Sequence, residues 1–174
     1  SIMKPVVAAA AIELRVISPT DVLDCEGGRF SFAGHVIRDV HAYGRLTLAD
    51  VVVRSSNIGM TKVGIRLGSE RLYNSLKNFG FGAGCRLRLP GETAGILRRH
   101  DEWAAIDVAT HAFGQGVAVT PLQMLRAVAA IANGGRLPGL RLVEQESPPP
   151  PVTVLSASTA AAVREMMYRV VEDP

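Results

Sequence analysis

An uncharged apolar run near the start of the chain constrains the fold more than any other feature. Every residue from Pro5 to Ile12 is apolar, and most are alanine or valine. Proline is tolerated here only because it lies in or just past the first turn of a helix. The run is far shorter than the roughly twenty residues that a membrane span needs. It therefore predicts a buried helix from residue 1 to about residue 16.

Composition fits a single soluble domain. A chain of 174 residues is long enough to bury a real core. An apolar content of 48% and a charged content of 20% are ordinary for such a domain. The net charge is +3, and the basic residues are scattered without a basic helix or a patch interleaved with aromatics. Nucleic acid is therefore not an expected partner.

Metal and cofactor sites are not expected either. Cys25 and Cys85 do not form a Cys-x-x-Cys pair, and the four histidines show no ligand spacing. The glycines of residues 80–84 do not fit a dinucleotide-binding loop, because a helix and not a strand is predicted before them. The two cysteines either pair in an oxidising compartment or remain buried thiols, and both alternatives stay open.

Local patterns predict a mostly helical body with one small β-hairpin. The hairpin spans residues 29–40 and turns at Ala33-Gly34. A capping pattern at Thr47 and a Thr120-Pro121 pair mark two helix starts. Residues 82–102 show no clear period and are predicted as loop. Helices are predicted over residues 47–54, about 59–67, from 69 to a stop at Gly80, 122–132 and about 158–171.

Ser1 and Lys4 form the first candidate catalytic pair. Three residues apart at the start of a helix, they lie on one face, one turn apart. A lysine amine placed there can accept the proton of the serine hydroxyl, which permits acyl transfer without histidine. The helix dipole disfavours a cation at this end, which lowers the pKa of the amine and suits a base. The alternative is a helix-capping serine and a solvated lysine.

A second polar segment, Ser55-Ser56-Asn57, follows about fifty residues later. Ser55 is a candidate for relaying a proton to a leaving group, and Asn57 is a candidate for holding a substrate amide. The alternative is again structural, because serine and asparagine are common at helix ends for capping reasons.

Taken together, the motifs resemble those of a known family. Residues 1–5 resemble the nucleophile motif of penicillin-binding proteins, and residues 54–60 resemble their Ser-x-Asn segment. Further stretches that fit are residues 35–40, 91–95, 112–116 and 119–123. Their order and spacing, over essentially the whole chain, most resemble the class B transpeptidases, particularly the branch that builds the division septum.

The resemblance implies an α/β fold in the intact domain, related to the serine β-lactamases, with an antiparallel sheet between helices. It implies that residues 1–174 are the helical portion, starting at the nucleophile and ending before the strand that carries Lys-Thr-Gly. Without that strand, the oxyanion hole would lack one of its backbone N–H donors. Losing one such donor lowers the reaction rate about 10²- to 10³-fold. The 174-residue chain alone is therefore expected to be inactive or nearly so.

The resemblance also implies roles for four residues. Ser1 attacks the penultimate D-Ala carbonyl of a peptidoglycan stem peptide, and Lys4 is the general base. Ser55 passes a proton toward the departing D-Ala nitrogen, and Asn57 orients the substrate amide. β-Lactam antibiotics would acylate Ser1. The parent protein would be anchored in the cytoplasmic membrane, with this domain outside it and cell-division membrane proteins as partners.

Three rival hypotheses remain. A β-lactam-hydrolysing or β-lactam-sensing relative shares the serine–lysine geometry. An N-terminal nucleophile would use the α-amine of Ser1 as its base, and this mechanism would not need Lys4. A pseudo-catalytic binding module would keep the fold and recruit division partners.

Overall fold

The computed structural model describes residues 1–87, 90–144 and 147–172. Within these ranges the chain forms seven α-helices and six short strands. The helices are α1 Lys4–Glu13, α2 Leu48–Val53, α3 Asn57–Leu67, α4 Ser69–Asn78, α5 Ala105–Phe113, α6 Pro121–Ala132 and α7 Ala157–Glu172. The strands are β1 Val22–Asp24, β2 Arg29–Phe32, β3 His35–Arg38, β4 Arg45–Thr47, β5 Arg136–Leu137 and β6 Val152–Thr153.

Helix α1 is the centre of the core. Its residues from Val6 to Ala11 are at most 3% exposed, and it contacts each of the other six helices. A helix that is apolar all round has no face to present to water, so it packs inside. It is shorter than predicted, because Lys4 starts the first turn and Arg15, just past the end, has a left-handed backbone with φ of 54°.

The predicted hairpin is confirmed. Strands β2 and β3 pair antiparallel, with Phe32 opposite His35. The two turn residues, Ala33 and Gly34, both have positive φ. A two-residue turn with this backbone matches the right-handed twist of the two strands that it joins. Two further antiparallel pairs, β1 with β4 and β5 with β6, were not predicted. Strands of two or three residues are too short to show an alternating pattern in the sequence.

Side-chain caps fix the starts of three helices. The hydroxyls of Thr47, Ser56 and Thr120 accept backbone N–H bonds at the starts of α2, α3 and α6, at 3.1, 2.9 and 3.1 Å. Because Ser56 is the cap, α3 begins at Asn57 and not near residue 59. Helix α5 was not predicted, since its cap position is Ala104. The Asp107 carboxylate serves instead and accepts the Ala104 N–H at 3.0 Å.

Gln123 fastens the long connection before α5 to helix α6. Its side chain is 1% exposed. The amide nitrogen donates to the carbonyls of Ala83 and Ala94, both at 2.8 Å, and the amide oxygen accepts from Thr120 N at 2.8 Å. The predicted loop over 82–102 includes residues 88–89, which lie outside the described residues. The described remainder contains a short 3₁₀ turn, His100–Glu102.

Helices α3 and α5 pack unusually close together at Gly64. A Cβ atom at this position would lie 2.6 Å from Ala112 Cβ and 2.8 Å from the Val108 carbonyl oxygen. Only glycine permits this approach. The contact brings the connection after α5 to the side of the molecule where α1 and α3 begin.

Both cysteines, Cys25 and Cys85, are free and buried, which settles the alternative left open by the sequence. Among the helices that the structure describes, none combines the length and apolar character needed to cross a membrane.

Candidate active site

Three of the four predicted site residues meet through hydrogen bonds. Ser1 Oγ lies 2.9 Å from Ser55 Oγ, and Lys4 Nζ donates to Ser55 Oγ at 2.8 Å. Lys4 also donates to the Ser55 carbonyl. The sequence predicts a lysine placed directly against Ser1. In the structure, the Ser55 hydroxyl lies between the amine and the Ser1 hydroxyl and connects them.

Lys4 is buried at the start of the apolar helix. Its side chain is only 2% exposed. Burial lowers the pKa of its amine from 10.5 to about 8, and the Asp39 carboxylate acts in the opposite direction. Burial disfavours the charged form because the apolar surroundings replace water. An amine with a pKa near the working pH has a usable neutral fraction, as a general base requires.

Ser55 is presented by the end of helix α2. Ser55 N donates to Val52 O at 3.2 Å, and Ser56 N donates to Val51 O at 3.0 Å. These two bonds form a Schellman motif, in which the residue after the cap adopts a left-handed backbone. Ser55 has φ of 57°. Glycine is the usual residue at this position, so a serine here carries a conformational strain of about 1 kcal/mol or more.

An acidic residue that the sequence did not predict holds the start of α3. Asp39, directly after β3, accepts a hydrogen bond from Ser56 Oγ at 2.6 Å and one from Ile58 N at 3.0 Å. Asn57 N also donates to this carboxylate. The carboxylate lies 17 to 19 residues before its donors. No local capping pattern therefore reveals it.

Asn57, the fourth predicted residue, lies at the edge of a groove. Its amide nitrogen donates to the Arg38 carbonyl at 3.0 Å. The groove has a volume of about 290 Å³. It is lined by residues 35–38 of the hairpin, by Asn57, Ile106, Thr110 and Phe113, and by Gln115. Of the four predicted site residues, Asn57 is the one that lines this groove.

The connection after α5 packs against Met3, in the turn that carries Ser1 and Lys4. A Cβ at Gly114, where φ is 95°, would lie 2.9 Å from Met3 Cβ. His111, one turn earlier, is fully buried against Trp103, with ring centroids 4.2 Å apart. This contact gives His111 a packing role. Histidine, cysteine and carboxylate side chains form no group of three that could bind a metal ion in the described part of the chain.

Comparison with known proteins gives a consistent set of relatives. Residues 1–174 match the family described as penicillin binding protein transpeptidase domain. The probable peptidoglycan D,D-transpeptidase PbpC of Pseudomonas aeruginosa is 33% identical over 174 residues, which are 100% of this chain and 31% of PbpC. The peptidoglycan D,D-transpeptidase FtsI of Escherichia coli is 35% identical over 170 residues, which are 98% of this chain and 29% of FtsI.

Solved structures agree with the sequence relatives. Penicillin binding protein 3 of Mycobacterium tuberculosis, in its complex with aztreonam, superposes with a TM-score of 0.91 and 34% identity, covering 100% of this chain and 41% of that chain. The chain spans less than a third of the length of each of the two curated relatives, PbpC and FtsI.

Proposed function

Because the chain belongs to the transpeptidase-domain family of class B penicillin-binding proteins, we propose that its parent protein is a serine D,D-transpeptidase. It cross-links peptidoglycan stem peptides and captures β-lactams covalently. The observation that supports this proposal best is the continuous hydrogen-bonded series from Ser1 Oγ through Ser55 Oγ to Lys4 Nζ.

The first half-reaction forms an acyl-enzyme. Ser1 Oγ bonds to the carbonyl carbon of the penultimate D-Ala, while its proton moves through Ser55 Oγ to the neutral amine of Lys4. The C–N bond to the terminal D-Ala then breaks, and Lys4 returns the proton through Ser55 to the departing nitrogen. The lowered pKa of Lys4, about 8, lets one amine act as base and then as acid near neutral pH.

The second half-reaction forms the cross-link. The amine of a second stem peptide attacks the same carbonyl carbon and gives up a proton through Ser55 to the neutral Lys4. The C–O bond to Ser1 then breaks, and that proton returns through Ser55 to Ser1 Oγ. Asn57, at the edge of the groove, orients the donor amide. With a β-lactam, the ring C–N bond opens, but the leaving nitrogen stays tethered to the acyl group, so the adduct persists on Ser1.

The wider assignment follows from the same resemblance. We place the parent at the cytoplasmic membrane, with this domain outside it, in septal wall synthesis alongside membrane proteins of cell division. Residues 1–174 are proposed to form the helical portion of a domain that also carries a Lys-Thr-Gly strand. The likeness to FtsI and the covered share of the aztreonam-bound relative, 41%, support this placement.

The test is covalent capture of a fluorescent penicillin by the intact parent domain, read by mass spectrometry. We expect a stable adduct on Ser1, no adduct in Ser1→Ala, and unchanged labelling in Ser31→Ala, a matched change at an exposed serine on β2. Lys4→Met should also abolish labelling.

Each other outcome points to one rival. An adduct that hydrolyses within minutes favours the β-lactam-hydrolysing relative. Labelling that survives Lys4→Met favours the N-terminal nucleophile. A folded domain that never labels favours the binding module.

A further inference from the structure

The Asp39 carboxylate accepts three hydrogen bonds from residues 56–58, at the start of α3. One carboxylate oxygen accepts a hydrogen bond from the Ser56 hydroxyl, and the other accepts hydrogen bonds from the backbone N–H groups of Asn57 and Ile58. A carboxylate at a helix N-terminus satisfies N–H groups that have no partner within the helix, and it complements the helix dipole.

These contacts fix the segment that joins α2 to α3. The buried Ser56 hydroxyl donates to Asp39 and accepts from Gly59 N at 2.9 Å, so its position is set from both sides. Ser55 precedes it with a left-handed backbone, and Asn57 follows it. A shift of Ser56 therefore moves the two side chains on either side, one of which contacts Lys4.

The hairpin adds a second link to the same segment. Asn57 Nδ2 donates to the carbonyl of Arg38, the residue before Asp39. Both links thus come from the end of β3, which also forms one wall of the groove. The end of one strand thus forms part of the groove wall and also holds Asn57 and the start of α3.

Asp39 also acts on Lys4 through its charge. Among the described side chains, Asp39 is the charged group whose effect on the pKa of Lys4 is resolved. Burial is the main influence on the amine and lowers its pKa, whereas Asp39 raises it. Removing the negative charge should therefore lower the pKa of Lys4 further.

We propose that Asp39 is a positioning residue for this site, holding the first turn of α3 so that Ser55 meets Ser1 and Lys4 and Asn57 stays at the edge of the groove. The inference rests on the proposed transpeptidase function and assigns to that function a residue that was not among the four predicted site residues. Asp39 does not contact the reacting atoms. Its effect is transmitted through Ser56 and the helix start.

Three variants separate the two effects of the carboxylate, its charge and its hydrogen bonds. Asp39→Asn keeps an oxygen for the backbone N–H groups but removes the charge. Asp39→Ala removes the charge and every hydrogen bond. Asp39→Glu restores the charge on a longer side chain. Asp24→Asn is the matched control, since Asp24 is an exposed acid on neighbouring β1 whose carboxylate accepts only the local Glu26 N–H among the hydrogen bonds described.

The experiment measures the acylation rate of the intact parent domain with a fluorescent penicillin from pH 6 to 10. In Asp39→Asn, the midpoint of the pH–rate profile should move to lower pH. In Asp39→Ala, the plateau should also fall about 10- to 100-fold, the usual cost of a small displacement of catalytic groups. Asp39→Glu should recover part of the plateau, and Asp24→Asn should match the wild type.

A purely structural role would give a different result. It would reduce labelling only in proportion to the unfolded fraction, measured by circular dichroism, and leave the midpoint unchanged. That result, or a profile identical to the wild type, overturns the proposal.

A second readout does not depend on acylation. Hydrogen exchange at the Asn57 and Ile58 amides should be at least about 10-fold faster in Asp39→Ala, while amides in the middle of α3 keep the wild-type rate. If the wild type never labels, the proposed function fails, and exchange still tests the hold on α3. Unchanged exchange at both amides overturns the proposal.

Discussion

At the scale of single residues, the site is built from groups that weaken the fold. Lys4 is an amine buried at the start of the apolar helix α1, and it has no carboxylate partner at hydrogen-bond distance among the described residues. The sequence predicted Lys4 from its spacing to Ser1. It could not predict how deeply the amine is buried, because burial depends on six helices that pack around α1.

Replacing Lys4 should stabilise the domain while abolishing acylation. With a folded pKa of about 8 against 10.5 when unfolded, the native state holds its proton less tightly than the unfolded state. The resulting penalty is full below pH 8 and disappears as pH rises toward 10.5. We expect Lys4→Met to raise the free energy of unfolding by about 2–3 kcal/mol at pH 7.

Urea unfolding at pH 7 and pH 10 checks this prediction. The gain should be largest at pH 7 and should shrink at pH 10. Lys77→Met, at an exposed lysine on α4, should show no such pH-dependent gain. A Lys4→Met variant less stable than the wild type at pH 7 would contradict the buried amine as a destabilising group.

At the scale of elements, the sequence predicted what local chemistry determines. The caps at Thr47 and Thr120 and the Ala33-Gly34 turn act within four residues of where they stand, so their patterns are visible in the sequence. Helix α5 lacks a capping side chain at Ala104, and its start depends on Asp107. The feature of the sequence that could have indicated this helix is the set of apolar residues in its final turns, such as Ala109 and Phe113.

Gln123 provides a test at this scale, because one side chain joins helix α6 to two distant carbonyls. Gln123→Leu keeps the volume approximately but leaves the carbonyls of Ala83 and Ala94 and the N–H of Thr120 without this partner. A buried polar group left unpaired costs about 1–3 kcal/mol, but Ala83 and Ala94 are exposed, so water replaces part of the lost bonding to their carbonyls. We expect a total loss of about 2–4 kcal/mol in the free energy of unfolding.

Denaturant unfolding of Gln123→Leu and of Gln115→Leu measures this difference. Gln115 is exposed, so its replacement should change stability by less than about 0.5 kcal/mol. Equal effects of the two substitutions would show that the buried amide does not anchor the connection.

At the scale of the whole molecule, the first and last helices are fastened together. The Glu13 carboxylate at the end of α1 accepts hydrogen bonds from Ser156 N at 3.0 Å and Ser156 Oγ at 2.8 Å, across 143 residues of sequence. Arg169 on α7 reaches Asp50 on α2 at 2.7 Å. Contacts between such distant residues leave no pattern in the sequence, which is why the family resemblance and not periodicity predicted the architecture.

The Glu13 contact predicts a component of acid sensitivity. Burial acts to raise the pKa of Glu13, but hydrogen bonds from Thr159 and Ser156 outweigh it and lower the pKa below the usual 4.5. The contact therefore stabilises the fold above pH 4.5, and this stabilisation is lost as pH falls through the lower folded value. Glu13→Gln should cost about 1 kcal/mol at pH 7, since the group is partly exposed.

Thermal unfolding from pH 7 to pH 3 tests this component. The difference between wild type and Glu13→Gln should narrow below pH 4.5 and vanish once Glu13 is protonated in both states. Glu165→Gln, at an exposed carboxylate on α7, should not reproduce this narrowing. A difference that stays constant with pH would argue against a charge-dependent contact.

The left-handed backbone of Ser55 has a practical consequence for anyone who engineers this domain. Glycine would relax that position, because it adopts a positive φ without strain, but it would remove the hydroxyl between Lys4 and Ser1. A laboratory selection for heat resistance alone would therefore enrich glycine at residue 55 and yield robust, unreactive protein. Thermostable versions intended for inhibitor screening should hold this codon fixed and be selected by covalent capture as well as by survival at high temperature.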